Sequence, residues 1–421
     1  MAKKKVQRFI SSRYAWLVLG LLTLIYIFNF VDRQIIGVLA TDIKASLNLS
    51  NFQIGLLYGP AFSLIYALSG IPMGRMADRY SRKNIIIAGL FIWSLMTFLS
   101  GFANGMAFLI SARVFVGIAE SALSPAVYSL LADYFKSAQR ATVFSIYSAG
   151  IFLGIGFAFL IGGNIAEAYN WRISLKAVGL PGIILAFVAW FIIKEVPRGA
   201  PDEGRYQTNQ SMGEVLSYIL AKKTMLWHFA GFSFLAFSGY TILAFIGVIL
   251  KSTFHSAGLI PSFGWFMFGT GASVIAAGKM ADWLAARWGD SKRFVMGIVA
   301  GIGCLPFYYF GLFADSEITA LVFVGIAVII SSSYNGVAPA LVQYLVKPNM
   351  RALAGGVYLF IISVIGFGIG PPLTGWLIDH VFTGAYGPSK ALMLVFTVCG
   401  ILGSICFLFA MKTYNEDAEK E

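Results

Sequence analysis

Charged residues are scarce in this sequence: only 12% of its 421 residues are Asp, Glu, Lys or Arg. A soluble protein of that length needs a polar surface, and this chain cannot build one. Cysteine is scarcer still. Cys304, Cys399 and Cys406 all fall in apolar runs without CxxC spacing, which excludes a disulfide frame and a thiolate metal site and leaves packing as their role. The three histidines, His228, His255 and His380, are far apart and form no ligand cluster. No GxSxG, HExxH or P-loop occurs, so no enzyme class is signalled, and neither a metal nor a cofactor is expected. Short alternating segments are also missing, which argues against a transmembrane β-barrel.

What is present is hydrocarbon: 58% of the residues are hydrophobic. Apolar runs of about 20 residues or more, the length a helix needs to cross a bilayer, recur along the whole chain. They lie near 14–40, 52–76, 84–102, 105–133, 140–166 and 174–194, then near 223–250, 260–284, 294–313, 317–346, 352–378 and 388–411. The reading is an all-α membrane protein of twelve spans. The net charge of +12 would suit nucleic acid, but the basic residues cluster at every second gap between runs. That is positive-inside asymmetry, and it places both termini in the cytoplasm of a cell whose inner membrane holds the protein. The basic N-terminus resembles a signal peptide only superficially, because the run that follows is too long and is interrupted by charge.

The chain divides in two. The one long polar stretch in its interior, rich in Pro, Gly and charge, separates a six-span segment, 1–194, from a second, 223–421, with a cytoplasmic linker at 195–222. From Ser211 onward the linker can form a short helix on the membrane surface. "GRMAD" at Gly74–Asp78 returns as "GKMAD" at Gly278–Asp282, each just after the second span of its half. Gly154, Gly156, Gly163 and Glu167 align at constant offset with Gly366, Gly368, Gly375 and Asp379. The halves are therefore expected to be duplicated six-helix bundles that rock about a central cavity. Their glycines are read as packing positions.

"GRMADRYSRKN", Gly74–Asn84, resembles the loop signature of the major facilitator superfamily, with Met76 and Ser81 as departures. "RVFVGIAES", Arg113–Ser121, is similar to that superfamily's arginine-x-x-x-glycine motif. Within the superfamily the chain resembles spinster-like transporters, which share the run made here by Asn29, Asp32 and Arg33 and the one made by Arg113, Gly117 and Glu120. The resemblance implies a secondary transporter, and, from eukaryotic members, lysophospholipid- or sphingolipid-like substrates. Gly74, Asp78, Arg79, Arg82, Lys83 and a weaker second copy at Asp282 are then expected at a cytoplasmic gate. The basic residues among them also serve as a topology signal.

Four charges sit inside apolar spans: Asp32, Arg33, Arg113 and Glu120, all in the first half. Each costs roughly 2.5–3.5 kcal/mol at mid-membrane, so each needs a partner or a cavity. At about 1.5 Å per residue, Asp32 and Arg113 lie at matching depth and Glu120 about 10.5 Å deeper on nearly the same face. Asp32 is expected to be the proton site, Arg113 its modulator, and Glu120 a second proton or substrate site. Arg33 or Arg113 suits a phosphate or carboxylate. Permanent Asp32–Arg113 or Arg33–Glu120 ion pairs are the structural alternative.

The second half supplies aromatic seventh-span residues and Tyr334, Asn335 and Gln343 as a substrate wall. The expected partners are protons, the bilayer and an amphipathic lipid, acting on a monomer. A small organic anion, such as a sugar acid or aromatic acid, is the alternative substrate.

Overall fold

In hydrocarbon every backbone N–H and C=O must find a partner within its own segment, so long apolar runs become helices. The computed structural model describes residues 12–135, 137–197, 212–253, 257–347, 350–384 and 386–418. Among these no β-strand occurs, and all twelve apolar runs are helical. The spans are α1 (Ser12–Val38), α2 (Asn51–Ala77), α3 (Arg82–Ser100), α4 (Met106–Tyr134), α5 (Thr142–Ala168) and α6 (Trp171–Ile192). They continue with α7 (Lys223–Lys251), α8 (Phe263–Trp288), α9 (Asp290–Leu312), α10 (Glu317–Tyr344), α11 (Leu353–His380) and α12 (Gly387–Asp417). Eleven of them are long and apolar enough to cross a membrane; α8 has the length but carries Lys279, Asp282 and Arg287.

Local chemistry sets the ends and breaks. Ser50 and Gln53 form a capping box at the start of α2. Ser81, at the place of the second motif glycine, is the N-cap of α3, its Oγ accepting from the Asn84 N–H at 3.3 Å. The apolar run of α2 reads as continuous, yet the helix is interrupted at Gly59 because Pro60 has no N–H to offer the preceding turn. Asp78 was expected just past the helix end; the helix instead runs through Arg79. A short helix, Met212–Ala221, lies in the second part of the 195–222 stretch and turns Val215 and Ile219 into the core of the second unit.

Contacts divide the chain into two units: Met1–Ile43 with Ala61–Tyr206, and Lys44–Pro60 with Gln207–Glu421. Most of the first unit is α1 with α3–α6 and the inner part of α2. The start of α2 packs instead with α7–α12. In the first unit α5 lies on α1, and in the second α11 lies on α7. Both contacts depend on glycine. A Cβ on Gly154 would stand 2.5 Å from the Ile27 carbonyl oxygen, and one on Gly366 would stand 2.7 Å from the Ala236 Cβ. Both fifth-position spans also carry a π-helical segment, Ala158–Gly163 and Ser363–Ile369. The aligned glycines are thus packing positions inside each unit.

Candidate functional site

The buried charges of the first unit meet on two helices. On α4, Arg113, Val116, Gly117 and Glu120 share one buried face. On α1, Asn29 and Asp32 are buried, and Arg33 is partly so. Arg33 donates to Glu120 Oε2 from Nε at 3.2 Å and from a terminal nitrogen at 2.9 Å. The Glu120 side chain is fully inaccessible. Arg113 lies level with Asp32, but its guanidinium points at backbone, donating to the Asp32 and Arg33 carbonyl oxygens at 3.4 Å each. Of the two ion pairs foreseen from the sequence, Arg33–Glu120 is formed, at 2.9 Å. Asp32 Oδ1 and Glu120 Oε1 are buried with no hydrogen-bond partner. Such atoms ordinarily carry a penalty of about 1–3 kcal/mol, so each is a place for a proton or a polar ligand group.

Aromatic rings complete this site. The Arg33 guanidinium lies 4.7 Å from the Phe30 ring centroid, 4.8 Å from Phe62 and 4.7 Å from Tyr66. The Arg113 guanidinium lies 4.7 Å from the same Phe62 ring. These contacts give the cations a partly desolvated seat without adding negative charge.

The turn between α2 and α3 has its own network. Arg82 is buried, and its guanidinium donates to the Asp133 carboxylate, to Glu195 Oε1 at 2.8 Å, to Ser129 and to the Val196 carbonyl. Glu195 Oε2 accepts from the Ser81 hydroxyl and the Lys83 N–H, both at 2.8 Å. Burial alone would raise the Glu195 carboxyl, but these donors outweigh it and hold the group below its ordinary value. Arg82 therefore ties the start of α3 to the ends of α4 and α6. Lys83 sets its ammonium over Trp190, and Arg79 is exposed. Gly74 faces open space. The side chain of Asp78 lies outside the described residues. Asp282 is exposed, 3.5 Å from Arg293. Asp133 and Glu195 carry no motif of their own; an acid at each end of an apolar run, near a basic loop, is the only sequence trace of them.

In the second unit Tyr334 is fully buried, its hydroxyl 3.3 Å from His228 Nδ1. His228 Nε2 lies 3.0 Å from the Ala338 carbonyl oxygen, which fixes that nitrogen as the donor. Phe232, Phe294, Tyr358 and Phe407 surround the pair. Tyr334 is thus part of the helical core instead of an accessible wall. Asn335 is exposed and Gln343 is partly buried.

Near the start of α2, Asp379 accepts from the Asn51 N–H at 3.1 Å, the Asn51 side-chain nitrogen at 2.6 Å and the Phe52 N–H at 2.8 Å. Lys44 bonds the Asn51 side-chain oxygen at 2.8 Å and lines a cleft of about 330 Å³ with Asp379, Phe382 and Thr383. Burial lowers the Lys44 ammonium from its ordinary value, against the pull of Asp379. Among the described residues no cluster of His, Cys, Asp and Glu is suited to a metal.

Comparison with known proteins agrees with this architecture. The family model described as "Major Facilitator Superfamily" matches residues 22–371. An "MFS-type efflux pump" of Mycolicibacterium smegmatis is 29% identical, over 98% of this chain and 96% of its own. A "Hexuronate transporter" of Bacillus subtilis is 28% identical, over 86% and 87%. Among solved structures, a bacterial homolog of the human lysosomal transporter Spinster superposes with a TM-score of 0.85 at 27% identity, covering 97% of this chain and 99% of that one.

Proposed function

Because this chain belongs to the Major Facilitator Superfamily, and is therefore a multi-pass membrane transporter and not an enzyme, we propose that it is a proton-coupled carrier of an amphipathic, lysolipid- or sphingolipid-like substrate. Its two six-helix bundles, 1–194 and 223–421, joined by the linker 195–222, would expose the substrate site alternately to each side. It works as a monomer in the inner membrane with both termini cytoplasmic.

The observation that carries the reading is Asp32: a carboxyl buried in a membrane span, with one oxygen unpartnered, beside a guanidinium that donates to the Asp32 and Arg33 carbonyl oxygens at 3.4 Å. With its proton on, Asp32 is neutral and Arg113 stays on the carbonyls. With the proton off, the carboxylate attracts Arg113, and the cation must rotate toward it. Proton occupancy is thereby exchanged for a side-chain position between α1 and α4. Glu120 is the second proton or substrate site, its free Oε1 next to an oxygen already held by Arg33. Arg33 and Arg113 receive a phosphate or carboxylate on the substrate. Asn335 and Gln343 meet the substrate from the second bundle, with Tyr334 behind them. At the cytoplasmic side Gly74, Asp78, Arg79, Arg82, Lys83 and Asp282 form the gate, with Arg82 as its anchor.

Likeness to the Spinster homolog supports the lipid class. A small organic anion is the second reading, favoured by the two arginines and by the hexuronate-transporting relative. Proteoliposomes holding the purified protein separate them. Inward transfer of fluorescent lysophosphatidylcholine that saturates and grows with an imposed pH gradient is the expected result. Uptake of radiolabelled glucuronate without lipid transfer moves the assignment to the second reading. If neither probe moves under a pH gradient, both fail.

A further inference from the structure

Phe62 occupies an unusual place. Its ring lies within 4.8 Å of both guanidiniums of the charged site, Arg33 on α1 and Arg113 on α4. Two like charges close to one buried ring would repel each other unless something fixed their separation, and the π face supplies the attraction that holds both. Tyr66, one turn further along α2, stacks on Phe62 with centroids 5.4 Å apart and adds a second face to Arg33. The backbone makes this approach possible at Gly117, the glycine of the arginine-x-x-x-glycine run. A Cβ there would lie 2.9 Å from the Phe62 carbonyl oxygen and 3.3 Å from the Tyr66 nitrogen. That glycine therefore seats the ring on α4, between Arg113 and Glu120.

The chain on the other side of Phe62 is equally specific. Residues 44–60 pack in the second unit, and Ala61 begins the first, so a single residue separates Phe62 from the change of unit. The helix is broken at that point, at Gly59. The preceding segment is held by Asp379 at its start and by close backbone contact along its length. A Cβ on Gly55 would stand 2.5 Å from the Pro371 carbonyl oxygen, and one on Gly59 would stand 2.6 Å from that of Phe367.

The geometry points to Phe62 as a positioning residue: its ring holds Arg33 on Glu120 at a set distance from Arg113. This rests on the charged site being the coupling site. The role depends on the π face and not on volume alone.

Phe62→Leu and Phe62→Met keep an apolar side chain and remove the face; Phe62→Trp keeps the face. Arginine labelling by phenylglyoxal, read by mass spectrometry on the purified full-length protein in detergent, needs no substrate. Loss of the face should raise Arg33 labelling about fivefold to tenfold, the range cation–π contacts of this kind support, while Phe62→Trp stays near the unaltered protein. In proteoliposomes the Leu variant should shift the pH profile of lysophosphatidylcholine transfer or glucuronate uptake, with Trp restoring it. If Leu and Met protect Arg33 as well as Trp does, Phe62 is packing only and the inference is overturned. If the unaltered protein carries neither probe, the transport reading has failed, and the labelling comparison still decides the role of Phe62. Should Leu fail to fold by size exclusion, Met against Trp provides the same contrast.

Discussion

The interiors of the two units answer the same problem, polar groups buried in an apolar helical bundle, in opposite ways. The first unit keeps two carboxylates and two guanidiniums at mid-span and leaves one oxygen of each acid without a partner. The second buries His228 against Tyr334 and a backbone carbonyl, with aromatic rings on every side and a donor or acceptor at each ring nitrogen. Among its described residues, Lys222 and Asp417 are the buried charges, just before α7 and at the end of α12. A satisfied neutral pair fixes one packing arrangement, whereas an incompletely paired charge cluster can change partners. The two units share close glycine contacts, α5 on α1 and α11 on α7; among the described residues only the first buries carboxylate oxygens without a hydrogen-bond partner.

Breaking the Arg33–Glu120 pair tests that contrast most severely. Arg33→Met leaves Glu120 charged and wholly buried, and should cost about 3–5 kcal/mol of stability in detergent unfolding. Adding Glu120→Gln should recover much of the loss, because the stranded charge is then gone. A double variant no more stable than the single would show that the pair is not the source of the cost. His228→Leu, the matching change in the second unit, should cost only about 1–2 kcal/mol for the lost bond to the Ala338 carbonyl. Its pH profile of transport should remain that of the unaltered protein. A displaced profile would give the second unit a proton role and erase the contrast.

A smaller effect is expected at the Arg82 network. Glu195 is held below the ordinary carboxyl value of 4.5, so the unfolded chain binds its proton first as pH falls. Its bonds to Arg82, Ser81 and the Lys83 N–H therefore stabilise fully above about pH 4.5 and are lost as pH drops through the folded value. Glu195→Gln should lower stability by about 1 kcal/mol at neutral pH, with the difference closing in acid. A constant difference across that range would mean the carboxylate charge contributes nothing.

The sequence made the spans legible because apolar length alone forces helices in lipid, and it made the four charges legible because each is costly there. It did not reveal how the spans rotate against one another. At about 1.5 Å per residue only Asp32 and Arg113 come out level; the long Arg33 side chain nevertheless reaches Glu120, which the depth estimate alone does not suggest. Asp133 and Glu195 escaped notice because acids at span ends are ordinary; their meaning comes from Arg82, which folds back between them. Tyr334 read as a wall residue because a hydroxyl on an aromatic span suggests a ligand, but His228, more than a hundred positions earlier, takes it. Phe62 is one of 37 phenylalanines, and nothing near it in the chain marks the ring that two arginines share.

The central claim is that Asp32 carries the coupling proton, and Asp32→Asn in proteoliposomes tests it most directly. Lysophosphatidylcholine and glucuronate are offered in turn, and counterflow exchange is compared with accumulation under an imposed pH gradient. The predicted result is retained exchange of whichever probe the unaltered protein carries, with gradient-driven accumulation abolished. Undiminished accumulation with an unchanged pH dependence would contradict it.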